Sequence, residues 1–148
     1  YQLYVMRHAK SSWDDLSIND FDRPLSKRGK KNAKMICEFF VKKKFIFDYA
    51  LISHKKEQKK LFKFYPRKLV KKKGLFLKDL YLVDENVITK KIKEITSDYK
   101  SILIISHEPS VKNLVRNLTK NHNTNNFKLM NYKFPTAAFA KIEFDIKS

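Results

Sequence analysis

Two histidines stand at the points where apolar runs give way to polar sequence. His8 follows Arg7 after the run 2–6, and His107 follows the run 101–106. A neutral imidazole is a good nucleophile toward phosphorus and can carry a covalent phosphoryl group. Arg7 can donate two parallel hydrogen bonds to phosphate oxygens and supply positive charge during phosphoryl transfer. The spacing alone leaves a second interpretation open, in which the two histidines are separate loop residues with structural hydrogen bonds.

Short apolar runs alternate with stretches of helical periodicity along the chain. The apolar runs predict strands over residues 2–6, 49–53, 101–106 and 138–146. The periodicity predicts helices from Ser26 to about Lys43, over 54–65, from Asp84 and from Pro109. Residues 66–80 show no clear pattern, and residues 119–126 are predicted to form a loop. The alternation predicts an α/β fold with three α/β/α layers and a mostly parallel central sheet.

This architecture would place both histidines in equivalent positions. Ligands of mostly parallel sheets bind at the carboxyl ends of the strands, which is where His8 and His107 are predicted to lie. Residues 9–25 form a long polar segment after the first strand, and loops of that length in a compact domain are usually functional. Cys37 lies on the apolar stripe of the helix that begins at Ser26, so we predict a core residue and not a nucleophile.

The length and composition of the chain indicate which class of protein it belongs to. The chain has 148 residues, of which 43% are hydrophobic, and is predicted to fold as a single domain, 1–148. No apolar run approaches the ~20 residues that span a bilayer, and the amino end lacks the pattern of a secretory signal. A lone cysteine cannot form an internal disulfide. We therefore expect a cytoplasmic protein with no membrane partner. Because no acidic cluster accompanies the two histidines, neither a metal site nor another cofactor is expected.

The charge is unusually positive. Lysine and arginine total 33 against 15 acidic residues, which gives a formal net charge of +18. Residues 41–75 hold 12 lysines and one arginine against Asp48 and Glu57. Such a balance bears on solubility and nonspecific association more than on function. No nucleic-acid-binding motif accompanies it, so a nucleic-acid partner is disfavoured. A binding module that uses this basic stretch is an alternative, and so is electrostatic steering of an acidic protein.

Five blocks of sequence, taken in chain order, share their pattern with a known family. They are YVMRHAKSSW (residues 4–13), DFDRPLSKRG (20–29), DLYL (79–82), IISHEPS (104–110) and FPTAA (134–138). Together they resemble the histidine phosphatase superfamily, and within it the small branch of SixA-like phosphohistidine phosphatases. The blocks extend over nearly the whole chain, which makes the resemblance more specific than the Arg-His pair alone.

The resemblance implies a phosphoglycerate mutase-like fold and a division of roles. His8 would be the nucleophile that becomes phosphorylated, while Arg7 and His107 would bind the phosphoryl oxygens and stabilise the transition state. The small branch hydrolyses phosphohistidine on signalling proteins without a metal, so the implied partner is a phosphorylated protein. A small phosphoester is the alternative substrate. The other candidate substrate-binding residues are Lys10, Ser11, His54, Lys56, Glu108 and Thr136.

The segment after the second predicted strand departs from the family's pattern. The family places an arginine four residues after the serine that ends this strand, in the pattern Ser-Pro-x-x-Arg, whereas here the sequence is Ser53-His54-Lys55-Lys56-Glu57. The arginine position falls on Glu57, whose carboxylate would repel a phosphate. Three hypotheses follow. Lys55 or Lys56 supplies the missing cation, His54 lines the pocket instead, or the domain is a catalytically impaired phosphate-binding or protein-interaction module.

Overall fold

Five strands and four helices make up the part of the chain that the computed structural model describes, which is residues 1–19, 22–53, 69–77 and 84–145. For Ser53 and residues 72–77 only the backbone is described. The strands are β1 (Gln2–Arg7), β2 (Phe47–Ser53), β3 (Val70–Leu77), β4 (Ser101–Ser106) and β5 (Phe139–Glu143). The helices are α1 (Lys27–Lys42), α2 (Glu85–Ile95), α3 (Ser110–Leu118) and α4 (Asn125–Tyr132).

The strands form one sheet in the order β3-β2-β4-β1-β5. The first four of these are parallel to one another, and β5 pairs antiparallel with β1. The mostly parallel sheet that the sequence predicts is therefore confirmed. In the pairing of β1 with β4, Arg7 lies opposite Ser106. The two strands end level with each other, so the next residues, His8 and His107, leave the sheet at the same edge.

Helices cover both faces of the sheet. Successive residues of a strand point to opposite faces, and in β1 Tyr4 and Met6 pack on the α1 side while Leu3 and Val5 pack on the side of the other helices. The buried helical residues are Ala33, Cys37 and Phe40 on the first face and Ile88, Ile92, Val111, Leu114, Phe127 and Met130 on the second. The predicted three-layer α/β/α architecture is confirmed, and Cys37 is a core residue as expected.

The helices begin where the sequence places capping residues. The Ser26 hydroxyl accepts a hydrogen bond from the backbone N of Gly29 (2.9 Å), and the Asp84 carboxylate accepts one from the backbone N of Asn86 (2.6 Å). Both predicted caps are therefore confirmed. The helix predicted over 54–65 lies outside the described residues. Across the described part of the chain, no helix combines the length and the apolar character that a membrane crossing requires.

Two elements of the structure are not predicted from the sequence. β3 occupies part of the unassigned stretch 66–80, and α4 begins inside the loop predicted over 119–126. β3 lies at the edge of the described sheet, where lysines discourage pairing with other chains, and its three consecutive lysines hide the alternation typical of a strand. α4 contains three asparagines, which are poor helix formers. The strand predicted over 138–146 ends earlier, at Glu143.

Asp48 links the amino ends of three strands through hydrogen bonds. Its carboxylate accepts hydrogen bonds from Lys71 Nζ (2.9 Å) in β3, and from the backbone N of Lys100 (3.2 Å) and of Ser101 (3.1 Å) at the start of β4. The hydrogen bond from Lys71, followed by those from the two backbone N–H groups, holds the pKa of this carboxyl below its usual range. Asp48 is thus an electrostatic link between β2 and both of its neighbours.

We expect Asp48→Asn to lower the free energy of unfolding at pH 7 by about 1–2 kcal/mol, because the charged acceptor is lost. A carboxyl with a lowered pKa stabilises the fold at pH values above its ordinary pKa of 3.8, and this contribution disappears as the pH falls through the lowered value. Wild type and variant should therefore converge in urea unfolding as the pH is taken below that range. The exposed Asp145 provides a control, since Asp145→Asn should change stability little at either pH.

Candidate active site

The side chains of His8 and His107 meet at the carboxyl edge of the sheet. Their ring centroids are 4.3 Å apart, with the planes inclined by 47°. The backbone N of His8 donates to the carbonyl of Ser106 (3.0 Å), which continues the pairing of β1 with β4 by one residue. His107 is 8% exposed, and His8 is half-buried. The two rings therefore border one site that is open on the His8 side.

A hydrogen bond to the backbone of the next residue orients the His8 ring. Nδ1 lies 2.6 Å from the carbonyl oxygen of Ala9. A carbonyl can only accept, so the hydrogen of a neutral His8 ring belongs on Nδ1 and the ring's lone pair is on Nε2. Nε2 is consequently the atom that can attack an electrophile, while the Nδ1 bond holds the ring in place.

Arg7 is anchored by one arm of its guanidinium. Nη1 donates to the carbonyl of Phe134 (2.8 Å), and Nε is buried without a hydrogen-bond partner among the described residues. The backbone of Arg7 donates to the carbonyl of Ala138 (2.9 Å). The guanidinium is therefore tied to the segment before β5, and its electrostatic effect on Glu108 shows that it lies near the residue after His107.

The turn between α4 and β5 contacts the backbone at the end of β1. The backbone N of Ala137 lies 3.1 Å from the Arg7 carbonyl and 3.2 Å from the His8 carbonyl. Ala137 has a φ of 62°, in the left-handed region that a non-glycine residue seldom adopts. Thr136 is half-buried in this turn. The structure thus brings the predicted site residue Thr136 next to the backbone of the Arg7-His8 pair.

Glu108 places a carboxyl directly after His107. Its Oε1 is buried and has no hydrogen-bond partner among the described residues. Burial raises the pKa of this carboxyl, against opposing effects of Arg7 and Lys112. The site therefore contains a carboxyl that stays protonated to a higher pH than an ordinary glutamate.

The loop after His8 is tied to the start of α1. The Lys10 carbonyl accepts from both the backbone N (3.0 Å) and the hydroxyl (3.1 Å) of Ser26. Ser11 is buried and forms an isolated antiparallel bridge with Leu25. The predicted site residues Lys10 and Ser11 thus have their backbones in the loop's closure, and the Lys10 side chain is exposed.

Arg23 is a positioning residue that the sequence reasoning missed. It is buried, and its Nη1 donates to the carbonyls of Asp15 (3.1 Å) and Ser12 (3.4 Å). Its guanidinium carbon lies 4.0 Å from the centroid of the Trp13 ring, within cation–π distance. Arg23 therefore ties two parts of the loop together. The signal for it was its place in the motif block 20–29, next to Pro24.

The remaining candidate residues, His54 and Lys56, lie outside the described residues, as do Lys55 and Glu57. His122 is exposed and stacks on Phe127, on the second face of the sheet. In the described ranges there is no group of three His, Cys, Asp or Glu side chains that could hold a metal ion.

Comparisons by sequence give two relatives, and no protein-family model matches the chain. An uncharacterized chloroplastic protein of Arabidopsis thaliana is 54% identical over 37 residues, which are 25% of this chain and 17% of that protein's length. An uncharacterized protein of Mycobacterium leprae is 28% identical over 144 residues, covering 91% of this chain and 84% of the relative.

Comparisons by structure give phosphatases. SixA from Agrobacterium tumefaciens has a TM-score of 0.80 at 19% identity, over 95% of this chain and 89% of that one. The protein histidine phosphatase SixA complexed with tungstate has a TM-score of 0.80 at 22% identity, over 98% and 89%. A structure from Escherichia coli K-12 named as an alpha-ribazole-5'-P phosphatase has a TM-score of 0.66 at 13% identity, over 98% and 91%. The chain therefore has the phosphoglycerate mutase-like fold of these proteins, as the five sequence blocks led us to expect.

The loop after His8 and α1 lie very close together at Gly29. A Cβ at this residue would lie 2.1 Å from the Lys10 carbonyl oxygen, a main-chain atom already held by Ser26. Overpacking costs about 1–3 kcal/mol, so we expect Gly29→Ala to lower the free energy of unfolding. That cost should outweigh the ~1 kcal/mol by which alanine is favoured over glycine within a helix.

Urea unfolding of Gly29→Ala beside Lys30→Ala tests this expectation, because Lys30 is the next residue of the same helix and is exposed. Lys30→Ala should leave stability nearly unchanged. A Gly29→Ala variant as stable as wild type would show that the loop can move away from the helix without cost.

Proposed function

We propose that the chain is a metal-independent phosphatase that works through a phosphohistidine on His8, with phosphohistidine on proteins as its substrate. The observation that carries the proposal is the pair of imidazoles 4.3 Å apart, with His8 oriented so that Nε2 carries the lone pair. Arg7 directly precedes His8 and adds a positive charge whose effect reaches Glu108, the residue after His107. The likeness in fold to a histidine phosphatase complexed with tungstate, an oxyanion, supports the same conclusion.

The chemistry would take place in two displacements. In the first, His8 Nε2 attacks the phosphorus, a new N–P bond forms, and the substrate's bond to phosphorus breaks with its electron pair leaving on the substrate nitrogen. In the second, water attacks the phosphoryl group, inorganic phosphate is released and the electron pair of the N–P bond returns to Nε2. Arg7 and His107 would stabilise the negative charge on the phosphoryl oxygens in both steps.

A nitrogen leaving group suits this site. The imidazole of a protonated phosphoimidazole leaves phosphorus readily because it departs in its neutral form, a much weaker base than an alkoxide, whereas an alkoxide needs a proton from a general acid as it departs. The site's own carboxyl, Glu108, has a raised pKa and is a candidate for that donor. Its presence favours a second candidate function, the hydrolysis of small phosphomonoesters. The E. coli structure named as an alpha-ribazole-5'-P phosphatase shares the fold and supports this alternative.

Glu57 at the family's arginine position defines the remaining alternative, an impaired module that binds phosphate or a protein without turnover. We favour the active phosphatase because Arg7, His8 and His107 are all present and form the core of the covalent route. Lys55, Lys56 or His54 would then supply the missing positive charge.

The first prediction of this proposal concerns the covalent intermediate. After brief mixing with a ³²P-labelled phosphohistidine peptide and quenching in base, wild-type protein should carry acid-labile, base-stable label. His8→Ala should carry none, and its turnover should fall by about 10³-fold or more, as expected when a covalent nucleophile is removed. His122→Ala is the matched control, because His122 is exposed on another face of the molecule. Equal labelling of wild type and His8→Ala would contradict the proposal, and binding without turnover would support the impaired module.

The second prediction separates the two substrate classes through Glu108. If its carboxyl donates a proton to an alkoxide, hydrolysis of an alkyl phosphate should fall as the pH rises through the raised pKa of Glu108, above the ordinary value of 4.5. Glu108→Gln should slow that reaction by about 10²-fold and abolish this pH dependence. Turnover of phosphohistidine should fall much less, so the ratio of the two rates reports the donor. An unchanged ratio would exclude Glu108 as a general acid.

A further inference from the structure

An apolar groove lies on the second face of the sheet, between α4 and β5. It encloses about 830 Å³, which is within the usual range for ligand sites. Its floor is formed by the buried Phe127, Met130 and Phe134. Leu129 and Tyr132 line it from α4 and are 70% and 86% exposed. We call this feature the α4–β5 groove.

The exposed side chains of the groove are of the kind that proteins bury on binding. Leu129 and Tyr132 are three residues apart on a helix, so they lie on the same side of α4 and form one apolar edge. Aromatic residues and methionine are enriched in the cores of protein interfaces, and both kinds form the floor.

The groove and the candidate active site share a segment of backbone. Phe134, Pro135 and Ala138 line it. The carbonyl of Phe134 accepts from Arg7 Nη1 (2.8 Å), and the carbonyl of Ala138 accepts from Arg7 N (2.9 Å). One wall of the groove is thus the segment that anchors Arg7. A protein held in the groove would lie against the same 134–138 segment, whose Ala137 backbone N contacts the carbonyls of Arg7 and His8.

The charge around the groove indicates the sign of the charge that a partner would carry. Lys133 and Lys141 are among its lining residues, and none of its described lining residues is acidic. Lys141 is already paired with Glu143 (2.6 Å), whereas Lys128 and Lys133 are exposed on and after α4 without an ion pair to any described residue. The formal net charge of +18 adds a long-range attraction for acidic proteins.

We propose that the α4–β5 groove binds an acidic amphipathic helix of the phosphohistidine-bearing protein and so delivers its phosphoryl group to His8. This inference rests on the proposed function for the identity of the partner. A helix fits the groove because its side chains at i, i+3, i+4 and i+7 would fill the cavity over the aromatic floor. A strand added to β5 would pair with the backbone and leave that cavity unfilled.

The test uses a fluorescent 18-residue helical peptide with leucines at i, i+3, i+4 and i+7, glutamates on its other face and one terminal histidine. Binding of the unphosphorylated peptide is measured by anisotropy. The double variant Leu129→Ser/Tyr132→Ser should bind at least 5-fold more weakly than wild type. Both side chains are exposed, so the fold should be retained. Met35→Ser, which removes an exposed apolar side chain from α1 on the opposite face, should bind as wild type does.

Charge is tested separately from apolar contact. Lys128→Glu/Lys133→Glu should weaken binding of the acidic peptide and reduce its dependence on salt. A peptide with glutamines in place of the glutamates should bind more weakly to wild type. Equal binding of the acidic and neutral peptides, or equal binding by wild type and Leu129→Ser/Tyr132→Ser, would overturn the proposal. So would equal binding of a proline-containing peptide that cannot form a helix.

Turnover distinguishes this inference from the proposed function. With the peptide phosphorylated on histidine, Leu129→Ser/Tyr132→Ser should raise KM at least 5-fold, and kcat on the free amino acid phosphohistidine should stay at the wild-type value. If wild type hydrolyses neither substrate but binds the peptide through the groove, the proposed function fails and the docking surface is supported. Self-association in sedimentation that the double variant abolishes would assign the groove to a second copy of the chain and overturn the proposal.

Discussion

The parallel pairing of β1 with β4 is the constraint on which the site depends. Six residue pairs run in register from Gln2 and Ser101 to Arg7 and Ser106. A slip of one residue would exchange the faces of the strand, moving Tyr4 and Met6 from one core to the other. The packing of both faces therefore fixes the register, and the register fixes how far apart the two histidines emerge. The meeting of the imidazoles is thus a consequence of how the apolar side chains of the two strands pack.

Main-chain carbonyls hold two polar side chains of the site and the start of α1. The Ala9 carbonyl orients one ring, the Phe134 carbonyl anchors the arginine, and the Lys10 carbonyl receives the start of α1. A carbonyl acceptor is present whatever the side chain at its position, so such contacts survive substitution as long as the backbone keeps its path. This is consistent with a fold shared with SixA structures at only 19% and 22% identity.

The sequence predicted an element correctly where the residue pattern and the local chemistry of the residues indicate the same element. Ser26 and Asp84 marked helix starts because capping is a local interaction, and the run 101–106 marked a buried strand because both of its faces are apolar. β3 was not predicted because an edge strand can carry lysines, which obscure the apolar alternation of a strand. α4 was not predicted because its asparagines are poor helix formers, although packing stabilises the helix. The role of Arg23 depends on carbonyls eight and eleven residues away, whose directions no linear pattern contains.

The bond between His8 Nδ1 and the Ala9 carbonyl also determines regiochemistry. An imidazole has two nitrogens, and a ring that could rotate would give two isomeric adducts with different stabilities in water. Here Nδ1, the pros nitrogen, is hydrogen-bonded to the Ala9 carbonyl, and turning the ring over would break that bond. Any electrophile that enters the site therefore meets the tele nitrogen, and a single isomer of the modified residue would form.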